Sequence, residues 1–229
     1  MDAVATLLST LGAPGQSERL LRLHTPLGAD QLVPVTFAGV ESVDGIGFRF
    51  EVIALSPDAG LSMDALLGAP VLLELLCADS NADLRPFHGH VTQAERQGSN
   101  GGLARYRLLM EPWLALLDQR VDSYVFHDMN VVDIVENVFA DYVGQGVLDA
   151  AWRWDLADSA LYAKRSLTTQ YQESDLAFVQ RLLAEEGIWF WFEHAGDTES
   201  DTFGAHTLVL ADHMQAAGDA GTVRFHRGD

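Results

Sequence analysis

From Leu20 to about Asp118 the apolar residues tend to fall on alternate positions. "RLLRLHTP" separates Leu21 from Leu23 by Arg22, and "GFRFEVIALS" sets Phe48, Phe50 and Val52 against Arg49 and Glu51. Period-two alternation predicts strands with one face on a core and the other in water. "VPVTFAGVESV", "VLLELLC", "PFHGHVTQAER" and "ARYRLLMEPW" read the same way, divided by "ADSNADLR" and "QGSNGG". "LSMDALLGAP" interrupts them with one or two helical turns stopped by Gly68 and Pro70. Strands of this length and spacing predict a mostly antiparallel barrel over residues 18–118. Residues 1–17 read as a short helix or mobile tail ending at the turn composition "GAPGQ".

After "PWLALLDQR" the period changes to that of a helix. Val131, Ile134, Val135, Val138 and Tyr142 share one stripe, with Asp133, Glu136 and Asn137 opposite, which predicts an amphipathic helix over about 130–142. Asp128 or Asn130 can cap it, and Gly144 lies just past its end. "GQGVLDAAWRWDLADSALY" reads as a connection. A second helix is predicted over about 174–186, with Ser174 as N-cap, Asp175 at the positive end of its dipole and Gly187 past its end. "IWFWFEH" then pairs with "HTLVLADH" in a hairpin over about 188–211. The expected class is therefore α+β: a mostly antiparallel β-barrel, then a smaller mixed unit over 119–213 with two amphipathic helices and a hairpin, then a linker over 214–229.

The hairpin poses the main question. In "IWFWF", Ile188, Phe190 and Phe192 line one face while Trp189 and Trp191 line the other. Burying one such ring removes about 150–250 Å² from water, a gross gain of roughly 4–6 kcal/mol at about 25 cal/mol per Å². One face is expected on the preceding helix. The tryptophan face needs a second layer, either the helix at 131–142 or a neighbouring subunit, because Trp and Tyr are favoured in such contacts.

Composition narrows the function. Among 229 residues, 33 acids oppose 14 basic residues, a formal net charge of −19. Nucleic-acid readers and anionic membrane binders need clustered Lys and Arg, and the chain has none. No stretch of about 18 uncharged apolar residues predicts a membrane span. The start has Asp2 and no basic residue before its apolar run, unlike a secretory signal. Cys77 is the only cysteine, so no internal disulfide supports the fold. It reads as a mid-strand residue among leucines, buried and inert.

Candidate chemistry is sparse. His88 and His90, two apart on a strand, point the same way and offer two corners of a metal site, or plain polar positions on a strand face. His24, His127, His206 and His213 show no ligand spacing, so the plain reading is preferred. Glu173, Asp175, Glu185, Glu186 and Glu193 flank the aromatic strand and contain the residue types of a glycosidase acid and base. Asp175 and Glu185, however, sit near opposite helix ends, about 15 Å apart at helical rise. Caps and solvated faces are the preferred reading. No nucleophile elbow, phosphate loop, zinc helix motif or dinucleotide fingerprint occurs. The expectation is a non-enzyme with no catalytic, cofactor or metal residues.

The blocks "LLGAPVLLEL", "PFHGHVTQAE", "ARYRLLMEPWLALL", "DMNVVDIVENVF" and "YQESDLAFVQRLLAEEGIWFWFEH" with "HTLVLADH", in this order over residues 18–213, resemble the VgrG family, the spikes of bacterial type VI secretion systems. That resemblance implies a structural module similar to the baseplate hub of contractile phages. In such hubs, barrels from three chains ring together, seat on a hexameric tube of Hcp protein and support a needle that delivers effectors, directly or through adaptors. It also implies a homotrimer in the full-length protein, assembly in the cytoplasm and export without a signal peptide. The chain stops at "GTVRFHRGD", short of that family's later domains, so the expectation is a piece of a longer protein. The alternative reading is the tail hub of a prophage or related contractile particle; a distant alternative is a cell-wall hydrolase.

Overall fold

The computed structural model describes residues 19–77, 82–99, 102–145 and 148–218, together with Gln16 and Gly221. The expected helix or tail over 1–17 lies outside the described residues apart from Gln16, as does most of the linker beyond 218. Six strands form the first sheet: β1 (Leu21–His24), β2 (Val33–Glu41), β3 (Phe48–Ser56), β4 (Pro70–Leu76), β5 (Leu84–Ser99) and β6 (Ala104–Glu111). Their order is β1-β4-β5-β6-β3-β2, and every neighbouring pair is antiparallel. Bulges in β2 at Pro34/Thr36 and in β5 at Val91/Gln93 and Arg96/Gly98 bend the strands and help curl the sheet into a half-barrel.

Alternation along β3 sends Phe48, Phe50 and Val52 into the concave core, where they meet Val71, Leu73, Phe87 and Leu108. Arg49 and Glu51 emerge on the other face and pair across to β6, Arg49 with Glu111 at 2.6 Å and Arg107 with Glu51 at 2.6 Å. Cys77 departs from expectation. β4 ends at Leu76, and Cys77 is half-buried just past it, its N–H donating to the Asp83 carbonyl. The leucines before it fill the strand, and the chain has already left the sheet by position 77.

A second core begins where the first sheet ends. Trp113, Leu114 and Leu117, on a 3-10 helix spanning Trp113–Gln119, enter it with α1 (Val131–Ala140) and α2 (Asp175–Glu185). Asn130 caps α1 by accepting from the Asp133 N–H, and Ser174 caps α2 by accepting from the Ala177 N–H. Gly187 follows α2 at φ +70°, a left-handed turn a side chain resists. β10 (Trp189–Gly196) and β11 (Gly204–Ala211) form the expected hairpin, with Trp191 opposite Val209 and His194 opposite His206.

Three strands here have no counterpart in the sequence reading. β8 (Ala151–Asp155), inside the stretch read as a connection, joins β11 in parallel, giving the order β10-β11-β8. β7 (Val121–Met129) and β9 (Arg165–Ser174) pair as a separate two-stranded ribbon. The ribbon leaves Leu167 55% and Tyr171 70% exposed, so its apolar residues do not mark an inward face. Among the described residues, no helix is long and apolar enough to cross a membrane.

The turn between β2 and β3 is where the two cores are fixed against each other. Gly47 has φ +93°, and a Cβ there would stand 2.4 Å from the Phe192 ring. Replacing Gly47 with Ala therefore forces both a strained backbone and an overpacked contact. The expected outcome is a loss of about 2–4 kcal/mol, read as a lower urea midpoint.

Candidate functional site

Along β10, successive side chains alternate between two environments. Ile188 and Phe190 enter the second core with α1 and α2, while Phe192 packs against both cores and meets Phe48 edge-on at 5.2 Å between ring centroids. Trp189 and Trp191 point the other way and stack at 4.9 Å, both half-buried. Beside them on β8 Arg153 pairs with Glu193 at 2.7 Å. The expectation that the 131–142 helix covers the tryptophan face is corrected here. Both α1 and α2 pack on the side of Ile188 and Phe190, so neither helix reaches the tryptophans. Among the described residues, Trp189 and Trp191 shield each other by stacking and stay partly open to solvent. The cleft beside it, about 590 Å³, is bounded by Trp191, Phe192, Phe48, Val43, Glu41 and Arg85.

The flanking carboxylates are bound to cations or buried. Glu173 holds Arg181 at 2.6 Å, Glu185 holds Arg165 at 2.7 Å and Arg181 at 3.3 Å, and Glu186 holds Arg165 at 2.5 Å. The bond from Arg165 draws the Glu185 carboxyl below its ordinary range, the reverse of what a general acid requires. Asp175 does more than face the helix dipole. It is 0% exposed, accepts from Tyr142 Oη at 2.6 Å and Gln170 Nε2 at 2.8 Å, and is ion-paired with Arg120 Nε at 2.6 Å. Burial and this bond raise the Tyr142 hydroxyl pKa. Glu136 on α1 accepts from both Trp152 Nε1 (2.7 Å) and Trp154 Nε1 (2.6 Å), tying that helix to β8. The i, i+2 spacing in "WRW", with an acid on the nearby helix, is the signal that pairing leaves in the sequence.

The histidines lie on a strand face that the fold closes over. His88 and His90 on β5 are each 1% exposed, as is His206 on β11. His88 Nδ1 lies 2.8 Å from His206 Nδ1, and the Trp113 backbone N–H donates to His206 Nε2 at 2.9 Å. His194 on β10 sits against the His88 backbone, 3.1 Å from its nitrogen and 3.0 Å from its oxygen. Burial pushes the His88 pKa down to about 4, lowers that of His90, and holds His206 well below the ordinary value. The residues at 88 and 206 are 118 positions apart, beyond the reach of any spacing rule. His24 instead pairs with Glu74 at 2.8 Å and His213 with Asp155 at 3.4 Å. Among the described residues, no group of three or more His, Cys, Asp or Glu is arranged to hold a metal ion.

Comparison with known proteins shows which molecules share this sequence and fold. The family model for the phage tail baseplate hub (GPD) matches residues 41–229. The type VI secretion system spike protein VgrG1b of Pseudomonas aeruginosa is 35% identical over 198 residues, covering 85% of this chain and 25% of its own. The chain thus spans about a quarter of that relative's length. Among solved structures, the E. coli c3393 protein superposes with a TM-score of 0.69 at 26% identity, covering 85% of this chain and 50% of that one. It is a component of the type VI secretion system with structural similarity to the T4 bacteriophage tail proteins gp27 and gp5. The 43 kDa tail protein of prophage MuSo2 from Shewanella oneidensis shares the fold at a TM-score of 0.54 and 12% identity, covering 83% of this chain and 52% of that one.

Replacing Asp175 with Ala leaves the buried Gln170 amide and the half-buried Tyr142 hydroxyl without their acceptor, while Arg120 keeps Asp141 and solvent. The expected cost is about 2–4 kcal/mol by urea denaturation. Glu185→Gln and Glu193→Gln remove exposed ion pairs and are expected to cost less than about 1 kcal/mol each. Peptidoglycan incubated with either variant is expected to release the same amount of soluble sugar as with the wild-type chain; a specific drop would support a hydrolase.

Proposed function

The chain belongs to the phage tail baseplate hub (GPD) family, and on that premise we propose that it is the hub portion of a type VI secretion spike, a mechanical part working through shape. The observation that carries this reading is the join between its two cores. Phe192 enters both, and His206 on the hairpin bonds to His88 on the half-barrel and to the backbone of Trp113. A part that transmits thrust gains from such a weld, because packed interiors resist compression. Residues 18–118 and 119–213 are the two units of this part, with the 3-10 helix at Trp113–Gln119 as the seam between them.

In the full-length protein three copies assemble, seat on a tube of Hcp protein and carry effectors, directly or through adaptors. The half-buried Trp189–Trp191 stack, with no second layer over it among the described residues, fits a contact with a neighbouring subunit. Assembly takes place in the cytoplasm, and the protein leaves through the contractile machine without a signal peptide. The ion-paired carboxylates of α2 serve as caps and solubilising charges, and this portion carries no catalysis. A prophage tail hub is the second reading, favoured by the shared fold of the MuSo2 tail protein; the genes beside this one separate the two.

Mass photometry of the full-length protein at micromolar concentration is expected to give the mass of three chains, and co-sedimentation is expected to place it on Hcp tubes. Monomer alone in the first measurement overturns the assembly. A trimer that ignores Hcp tubes and sediments with a phage tail tube overturns the secretion assignment.

A further inference from the structure

The histidine seam has a direction that its distances dictate. The Trp113 N–H donates to His206 Nε2, so that nitrogen carries no proton and the ring holds its hydrogen on Nδ1. That Nδ1–H meets His88 Nδ1 at 2.8 Å, which must accept. The remaining hydrogen of His88 is then on Nε2, where it donates to the Thr202 carbonyl at 2.8 Å. One tautomer of each ring satisfies all three bonds, and both rings are neutral in it.

An added proton has nowhere to go without breaking the chain. On His206 it lands on Nε2 and confronts the Trp113 N–H; on His88 it lands on Nδ1 and confronts the His206 N–H. Either event buries a charge and two opposed donors among aromatic rings, which a dry site penalises. Acid compensation is scarce. Glu41 on β2 lies 3.7 Å from His194 Nε2 at the outer end and is already paired with Arg85 of β5. Glu111 on β6, opposite His90, is taken by Arg49 and Thr92. Asp149, in the connection before β8, acts only on His90, whose Nδ1–H donates to the Gly68 carbonyl at 3.1 Å. His90 would add its own charge to the repulsion, its ring lying 5.4 Å from that of His206, and the His194 ring of β10 lies 6.5 Å away.

We propose that the His88–His206 relay is an acid-sensitive latch: it clasps the β10–β11 hairpin to the half-barrel while both rings are neutral and releases the hairpin when they are protonated. The sign follows from linkage. Rings that bind protons less readily when folded contribute stability above about pH 6.5, and that stability drains away as the pH falls from there toward the folded values, with His88 at about 4. Release is thus a property of the join between the two cores and holds whether the chain serves a secretion spike or a phage tail.

Hydrogen exchange on this chain from pH 7.5 to 4.5, corrected for intrinsic rates, tests the latch. Opening of residues 204–211 and 84–90 is expected to rise about a hundredfold per pH unit in the steepest part of the window below pH 6.5, tenfold for each of two protons. Opening of the β3–β6 pairing is expected to change far less. The double variant His88→Gln/His206→Gln keeps neutral amides in both places and is expected to flatten the hairpin profile. Equal acid response in all three regions, or an unchanged profile in the double variant, overturns the proposal. Should that variant fail to fold, nitrogen-15 NMR of the wild-type imidazoles still decides. The Nδ1–H tautomer of His206 and the Nε2–H tautomer of His88 at pH 7 support the latch; a charged ring or the opposite tautomer in either overturns it.

Discussion

Everything in this molecule depends on one strand being seated between two cores. β10 sends Ile188 and Phe190 to the helices and lets Phe192 reach both cores, so the hairpin is held by two interiors at once. Phe192 finds its place only because Gly47 has no side chain beneath it. The turn bearing Gly47 is also tethered to α2, where Gln180 Nε2 donates to the Gly45 carbonyl. The half-barrel, the helices and the hairpin are thereby fixed relative to one another by a few contacts at a single corner. Hydrophobic burial supplies the attraction, and the shape of the corner supplies the uniqueness.

The acidity of the chain looks different once folded. Its arginines are mostly engaged with carboxylates on adjacent strands or turns, as in Arg107 with Glu51 and Arg181 with Glu173. Such exposed pairs contribute little stability each and are screened by salt. Their main effect is to order the outer faces, while the excess of acids leaves the surface repelling anionic partners. The carboxylates that matter more to the fold are the buried pair, Asp175 beneath Tyr142 and Glu111 between Arg49 and Thr92, together with half-buried Glu136 beneath two indoles.

Much of the architecture was legible because local signals agreed with the tertiary outcome. Alternation found β3, the caps Asn130 and Ser174 found the helix starts, and the run of aromatics found the hairpin. The ordered sequence blocks pointed to the family. What escaped had a physical cause in each case. β7 and β9 turn apolar residues such as Leu167 and Tyr171 outward, so no core-facing stripe announced them. β8 has five residues and joins its sheet in parallel, through a partner more than fifty positions away. Spacing placed His88 and His90 on one face and could not say that the face was closed. Only the fold brings His206 to them. The tryptophan face was misjudged because two helices expected on opposite faces of the hairpin both pack on the same one, which no local pattern records.

The distance in sequence between the two ends of the histidine relay carries a consequence for biosynthesis. His88 leaves the ribosome 118 residues before His206. The curled sheet is complete by Glu111, with Phe48 and His88 bare along the edge that β10 and β11 will cover. Contacts of such long range are slow to close, and apolar surface left waiting is prone to mispairing. The nascent half-barrel is therefore the stage at which this surface is open, and docking of the hairpin is the step that closes it.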